Sequence, residues 1–259
     1  MAGRIEYKFL VPNSRLDDLR ADLLPYVARD SMGGAEGSGA YTVRSIYCDT
    51  PRMQSYDAKA DGLKVRSKFR IRGYGRPTPD SVVYLEIKKK YADFIEKHRA
   101  PLLHSDLESF LAAPDIDRHI IQSSGTSRER CDAERFVYHY CRYGLLPSAL
   151  VVYDREAFLG RFDPTLRMTF DKALRRTVFP ALETLYDEHA LECMMPGTFT
   201  FEVKFFRSAL PAFVRSIITR HGLHRSSLSK YMICLDGGQT MATSTHARRG
   251  LFLGASRSL

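Results

Sequence analysis

From residue 4 to residue 11 apolar and polar side chains alternate. Ile5, Tyr7 and Phe9 fall on one face and Arg4, Glu6 and Lys8 on the other, the period-two pattern of a half-buried strand. Asn13 or Ser14 can cap a helix running to about Pro25, with Leu16, Leu19, Leu23 and Leu24 on its apolar side. The Gly/Ser-rich stretch 33–39 reads as a loop. Strand character resumes over 41–47 and is broken by Asp49-Thr50-Pro51, with a short helix predicted over 52–59. Two long strands follow, about 63–74 and 82–90, around a hairpin loop marked by Gly73, Gly75, Pro77 and Pro79. A third strand is predicted over 95–102. Residues 105–143 read as two helices joined by a polar loop at 122–127. Strand patterns return at 149–159, 166–171 and 199–205, and two helices close the pattern near 209–221 and 227–235. From 237 onward the chain is Gly, Ser, Thr, Ala and Arg with little apolar content, which predicts a disordered tail over 237–259 after a single domain over 1–236.

The polar faces of these strands have an unusual composition. Residues i, i+2 and i+4 of a strand share a face, so Lys64, Arg66, Lys68, Arg70 and Arg72 lie together opposite Val65, Phe69 and Ile71. Glu86, Lys88 and Lys90 repeat the arrangement, as do Glu202 with Lys204, and Arg167 with Thr169 and Asp171. Arg155 lies within the strand that begins at Val151. An ordinary solvated face mixes Thr, Ser, Glu and Gln, whereas these are dominated by Arg and Lys. Like charges placed side by side repel, and a bound anion would relieve that repulsion. The pattern predicts a sheet or barrel with apolar helices outside and a basic interior suited to a linear polyanion. Arg44 has uncertain facing, because Ser45, Tyr47 and Asp49 share the opposite parity.

Composition agrees with this picture. The 259 residues carry 39 Lys+Arg against 30 Asp+Glu, a net charge of +9 that calls for an anionic partner. Hydrophobic residues at 44% and 29 Phe and Tyr (15 and 14) exclude disorder over the whole length. No apolar run approaches the roughly 20 residues of a spanning helix, and the N-terminus lacks a signal-peptide core, so a cytoplasmic location is expected. Five scattered Cys without a CxxC pair predict reduced, mostly structural thiols rather than a zinc site or disulfide framework. The eight His show no metal-ligand spacing, and no GxxxxGK[ST] loop is present. Glu6, Glu86 and Glu202 each share a face with Lys. They can serve as charge balance, or they can hold a hard divalent cation that bridges carboxylate and phosphate oxygens.

The ordered set Arg4-x-Glu6-x-Lys8, Lys68-x-Arg70-x-Arg72, Glu86-x-Lys88, Tyr153-x-Arg155, the Arg167 strand, Glu202-x-Lys204 and Ser229-Lys230-Tyr231 resembles the VTC domain. This is the polyphosphate polymerase domain of the vacuolar transporter chaperone family and its bacterial relatives, within the triphosphate tunnel metalloenzymes. The resemblance spans about residues 3–236. It implies an α+β fold, an antiparallel eight-stranded β-tunnel with peripheral helices. It further implies that Arg70, Arg72, Lys88, Arg155, Lys204 and Lys230 act on the transferring phosphates. Lys8, Lys68, Lys97, Tyr153, Arg167 and Ser229 would bind substrate, and Glu202 with Glu6 would hold Mn²⁺ or Mg²⁺.

The activity implied is transfer of the γ-phosphoryl group of ATP to a growing inorganic polyphosphate chain. The partners are ATP and polyphosphate, with no nucleic acid, since no RNA-binding module is recognisable. Coupling to transport would need membrane-protein partners. Two alternatives stay open at this point: a tunnel triphosphatase hydrolysing inorganic or nucleoside triphosphate, and a non-catalytic polyphosphate-binding module. Hydrolytic tunnel enzymes carry Glu-x-Glu-x-Lys on the first strand. Here Arg4 stands in the place of the first Glu, which favours transfer over two-metal hydrolysis.

Overall fold

The computed structural model describes residues 4–30, 39–92, 94–122, 127–189, 191–206 and 210–237. The loop read at 33–39, the polar loop at 122–127 and the tail over 237–259 lie almost entirely outside the described residues.

In chain order the strands are β1 (Ile5–Pro12), β2 (Val27–Arg29), β3 (Ala40–Asp49), β4 (Val65–Tyr74), β5 (Val82–Tyr91), β6 (Phe94–Leu103), β7 (Leu146–Gly160), β8 (Arg167–Val178), β9 (Glu192–Cys193) and β10 (Thr198–Phe205). All ten belong to one antiparallel sheet. Eight form a continuous path, β1-β10-β8-β7-β3-β4-β5-β6, with β2 attached to β7 and β9 to β8. Among the described residues β1 and β6, the ends of that path, do not pair with each other. The sheet nevertheless curls far enough for Lys88 of β5 to reach Glu6 of β1 at 3.3 Å. The eight-stranded antiparallel α+β architecture expected from the sequence is present, with two short strands added.

The helices are α1 (Leu16–Leu23), α2 (Gln54–Ala60), α3 (Leu107–Ala112), α4 (Ile116–His119), α5 (Arg128–Tyr143), α6 (Ala212–Arg220) and α7 (Lys230–Leu235). They cover the convex face because the strands put their apolar parity there. Phe9, Val11, Phe201, Val203, Met168 and Phe170 pack against Leu19 and Leu23 of α1 and Val214 and Ile217 of α6. Ile46, Phe69, Ile71, Leu85, Ile87 and Leu102 pack against Leu107, Phe110 and Phe136 of α3 and α5. Each fully buried side chain of this kind contributes about 1.5–3 kcal/mol. The alternate residues, polar and charged, are thereby turned inward.

Helix α7 differs in packing on the concave side. Its Tyr231 and Cys234 join Val43, Tyr47, Val151 and Tyr153 in a separate apolar cluster, against which Tyr56 of α2 also packs. The Tyr231 hydroxyl donates to Asp49 at 2.7 Å, and its ring stacks on Tyr47 with centroids 4.8 Å apart. Asp49 also accepts from the backbone N–H of Ser55 and Tyr56 at 2.9 and 3.0 Å. One buried carboxylate therefore ties β3, α2 and α7 together.

Several sequence expectations are corrected. The stretch 105–143 holds three helices rather than two. Pro114 drives Ala113 out of the helical region (φ −141°, ψ 84°), and Asp115 caps α4 by accepting from the Arg118 N–H. Strand β4 starts at Val65, so Lys64 lies outside the strand face assigned to it. Gly73 belongs to β4 rather than to the hairpin loop. A Cβ there would stand 2.5 Å from the Tyr186 hydroxyl, so glycine is what admits that ring against the strand. Strand β8 extends to Val178, well past residue 171. Ala173 at φ 48° and the register shift opposite Val152–Asp154 break the alternation that would have announced it. Strands β2 and β9 are too short for a periodicity to be read. All five cysteines are free. Cys48 and Cys234 are buried, each with burial pushing the thiol up to about 12, while Cys131, Cys141 and Cys193 are exposed and so not structural.

Candidate active site

Strand register assembles the concave face in rows. Lys68, Lys88 and Lys97 stand directly opposite one another across β4, β5 and β6. The next row on the same face is Arg70, Glu86 and Arg99. Glu86 is 1% exposed and is caged by Arg70 (2.6 Å), Lys97 (2.7 Å), Arg99 (3.4 Å) and Arg72 (3.8 Å). Arg70 also donates to the Tyr47 hydroxyl at 3.1 Å, and Arg72 to the Ser45 hydroxyl at 3.0 Å.

The far side of the lumen is built from β1, β10, β8 and β7. Glu202 lies against Lys204 (2.6 Å), Lys230 (2.9 Å), Lys8 (3.8 Å) and Arg155 (3.8 Å). Asp171 receives a two-pronged bond from Arg155 (2.6 and 2.7 Å) and an ion pair from Lys230 (2.6 Å). Glu6 joins the two sides, touching Lys88 (3.3 Å), Lys204 (3.5 Å) and Lys8 (3.7 Å). Lys230 and Arg155 both lie over the Tyr153 ring, at 4.9 and 5.1 Å from its centroid.

Electrostatics follow from this crowding. Burial would raise Glu6, but the ammonium groups of Lys8, Lys204 and Lys88 hold it down at about 2. Glu86 and Glu202 are likewise pushed up by burial and pulled well below the usual carboxylate range by their cages. All three stay ionised and hold the cations in place. Lys68 differs. It is half-buried and has Lys8, Lys88, Lys59 and Arg70 around it, so desolvation and like charge push it well below the usual lysine range. Its Nζ donates to the Ser229 hydroxyl at 2.8 Å, and no carboxylate pairs with it among the described residues. Lys97, lowered to about 8 by burial and by Arg70 and Arg72, is only partly restored by Glu86.

Of the residues singled out in the sequence, Lys8, Lys68, Arg70, Arg72, Lys88, Lys97, Tyr153, Arg155, Glu202, Lys204, Ser229 and Lys230 thus share one lumen with Glu6. Arg167 stands apart from the main clusters. It pairs with Asp30 at 2.9 Å and donates to the Tyr41 hydroxyl at 3.3 Å. Sequence reasoning had not singled out Arg99, Asp171 and Tyr47 as site residues, whereas Glu86 was read there as charge balance or a cation ligand. Parity could have found each of the three: Arg99 lies two residues from Lys97, Asp171 shares a face with Arg167, and Tyr47 with Ser45. Arg4 belongs to the same surroundings, since burial, Arg167 and Glu6 act on it in that order.

Glu6 and Glu202 are the residues that would hold a divalent cation, in a position now taken by lysine ammonium groups. Lys8 and Lys204 each touch both Glu6 and Glu202, so two hard carboxylates already share a cation position. Among the described residues no group of three or more His, Cys, Asp or Glu converges. Such a pair matches a Mg²⁺-type ion, which takes one or two carboxylates and fills its remaining positions from water and substrate phosphates.

The site is thus the concave face of a curled antiparallel sheet, strongly basic and with carboxylates set among its cations. The family model of the VTC domain matches residues 3–236, and the chain belongs to that family. Two solved structures resemble the chain. One is the Hippeastrum protein HpAC1, a suggested adenylyl cyclase reported to have a dominant triphosphatase activity (14% identity, 92% of this chain and 98% of that one, TM-score 0.48). The other is the PH1819 protein of Pyrococcus horikoshii OT3 (13% identity, 90% and 99%, TM-score 0.45). The comparison with curated proteins gave no match. No helix among the described residues is long and apolar enough to cross a membrane.

Proposed function

We propose that this protein is a metal-dependent polyphosphate polymerase that transfers the γ-phosphoryl group of ATP to the end of an inorganic polyphosphate chain. The observation that carries this reading is the in-register lysine row, Lys68, Lys88 and Lys97, whose first member has no carboxylate partner. Such a row is repulsive in itself and is relieved by a chain of phosphates lying across it. On the donor side, Arg70, Arg72, Arg155 and Lys230 bind phosphate oxygens and neutralise charge as the phosphoryl group moves. Glu86, Glu202 and Asp171 keep those side chains aimed into the lumen. A divalent cation on Glu202 and Glu6 would supply further charge neutralisation at phosphate oxygens. The acceptor is a terminal phosphate that is already ionised, so no side chain has to remove a proton from it. Polyphosphate filling the curled concave face would limit the access of water as the competing acceptor.

Hydrolysis of triphosphate by the same lumen is the second reading. It is favoured by the shared cation position between Glu6 and Glu202, which would serve a triphosphate equally well. The decisive experiment incubates purified protein with ATP and Mn²⁺, resolves polyphosphate on gels and measures orthophosphate in parallel. Chain product is expected; orthophosphate without chains would replace the polymerase reading by the hydrolase one.

A further inference from the structure

The convex face carries a second basic recess. Ser45 and Tyr47 of β3 belong to the lumen, so Thr42 and Arg44 fall on the opposite face, the one on which Ile46 joins the outer core. Arg175 of β8 pairs with Val152, another outer-core residue. With Arg76 of the β4–β5 loop, Tyr186 and Glu188, these residues line a cavity of about 490 Å³.

Its guanidinium groups are not saturated. Arg44 is 3% exposed; its Nε donates to the Gly75 carbonyl at 3.2 Å and its Nη2 bonds Glu188, but its buried Nη1 has no partner among the described residues. Arg175 donates through Nη2 to Asp154 at 3.0 and 3.1 Å, while its buried Nε is also unpartnered. Buried donors of this kind are rare because leaving them without an acceptor is unfavourable. Two carboxylates face the three guanidiniums. Asp154 is engaged by Arg175 and by the Thr42 hydroxyl at 2.9 Å. Glu188 is 52% exposed and lies on the irregular segment after the 3₁₀ turn Leu182–Tyr186. A half-exposed carboxylate satisfying a nearly buried arginine can be replaced there by an anion from solution.

We propose that this recess is a second anion site, outside the tunnel, that binds a group of two or three linked phosphates in place of the Glu188 carboxylate. Arginine forks match phosphate oxygens two at a time, so three of them exceed what a single carboxylate or orthophosphate uses. The cavity also exceeds the size of one phosphate, and the Tyr186 ring, 5.7 Å from the Arg44 guanidinium, gives it a flat wall. The inference is independent of the reaction assigned to the lumen.

Calorimetric titration with tripolyphosphate, ATP and orthophosphate tests it on the whole chain. Two sites per chain are expected for tripolyphosphate in the wild type. The outer one should tighten at least threefold in Glu188→Gln, weaken at least tenfold in Arg76→Ala, and stay unchanged in the lumen variant Arg155→Ala. Orthophosphate should bind it at least tenfold more weakly than tripolyphosphate. ATP binding there as tightly as tripolyphosphate would identify nucleotide phosphates as a source, and its failure to bind would restrict the site to free oligophosphate. Both substitutions are on exposed or loop positions, and thermal melts confirm folding. One site per chain, loss of all binding in Arg155→Ala, or a Glu188→Gln variant with unchanged or weaker affinity would each overturn the proposal.

Discussion

At Glu86 four cations meet one buried carboxylate, so the cage is positively charged even before Lys68 and Lys88 are added. Removing a cation from it removes a charge-assisted phosphate contact while leaving Glu86 paired. Arg70→Ala is therefore expected to weaken tripolyphosphate binding by about 1.5–3 kcal/mol, roughly ten- to hundredfold, in a protein that still melts cooperatively. Unchanged affinity in the folded variant would show that this face does not hold phosphate. Lys97 makes the site sensitive to pH. Although 44% of its side chain is open to solvent, its ammonium lies 2.7 Å from Glu86, beside Arg70 and Arg72, and is lowered to about 8. As pH rises through 8 the folded protein loses this charge, so anion affinity should fall between pH 7 and 9, and the fall should shrink in Lys97→Arg. The sign for stability is opposite. From about 8 to 10.5 the unfolded chain binds the proton that the folded one has released, so this group's contribution to stability rises with pH. Glu202→Gln separates a metal ligand from a charge balancer. Activity should drop at least tenfold and need more Mn²⁺, while metal-free tripolyphosphate should bind as tightly as before or tighter, because a competing carboxylate is gone. Normal turnover at low metal would mean that Glu202 serves only to balance charge.

At the scale of elements, the short helix α7 sets the position of Lys230. Ser229 caps it, accepting from the Met232 N–H at 3.4 Å, and the same hydroxyl accepts from Lys68 at 2.8 Å. Ser229→Ala should lower stability by about 0.5–2 kcal/mol, the usual range for a lost N-cap. It should also weaken oligophosphate binding, since both Lys68 and Lys230 lose their placement. Melting curves and titrations on the same preparations check this, and a variant altered in neither would dissociate the cap from the site. The strands were legible because their two faces have opposite chemistry over eight to ten residues. The helix break at Pro114 and the continuation of β8 past Ala173 were not, because each depends on one residue's backbone geometry within an otherwise regular pattern.

For the whole molecule, the concentration of cations on one face implies that an oligophosphate stabilises the fold. Ligand at about a hundred times its Kd should add about 2.7 kcal/mol, read as a rise in Tm that shrinks with added salt. Arg4 bears on the choice of reaction. Its charge, beside Arg167 and Glu6, disfavours a second cation there, and although burial lowers its pKa, an arginine stays protonated and cannot take a proton from water. Inorganic triphosphate should accordingly be hydrolysed far more slowly than ATP is converted to polyphosphate under the same metal. Orthophosphate and polyphosphate assayed side by side decide it, and rapid hydrolysis without chains would reverse the assignment.

Strand parity alone determined that Arg and Lys would share one face and Phe, Ile and Val the other, because side chains alternate with the backbone whatever the strands pair with. It therefore determined a basic interior under an apolar exterior. Which cation meets which carboxylate depended on register and curl, and these are long-range. Lys68, Lys88 and Lys97 become a row only when three strands align, and Glu6 meets Lys88 only when the sheet bends back on itself. The facing of Arg44 was likewise undecided until β3 was placed between β7 and β4. That placement turned Ser45 and Tyr47 inward and sent Arg44 outward to Glu188, since a residue flanked by polar neighbours on both parities carries no sign of its own direction.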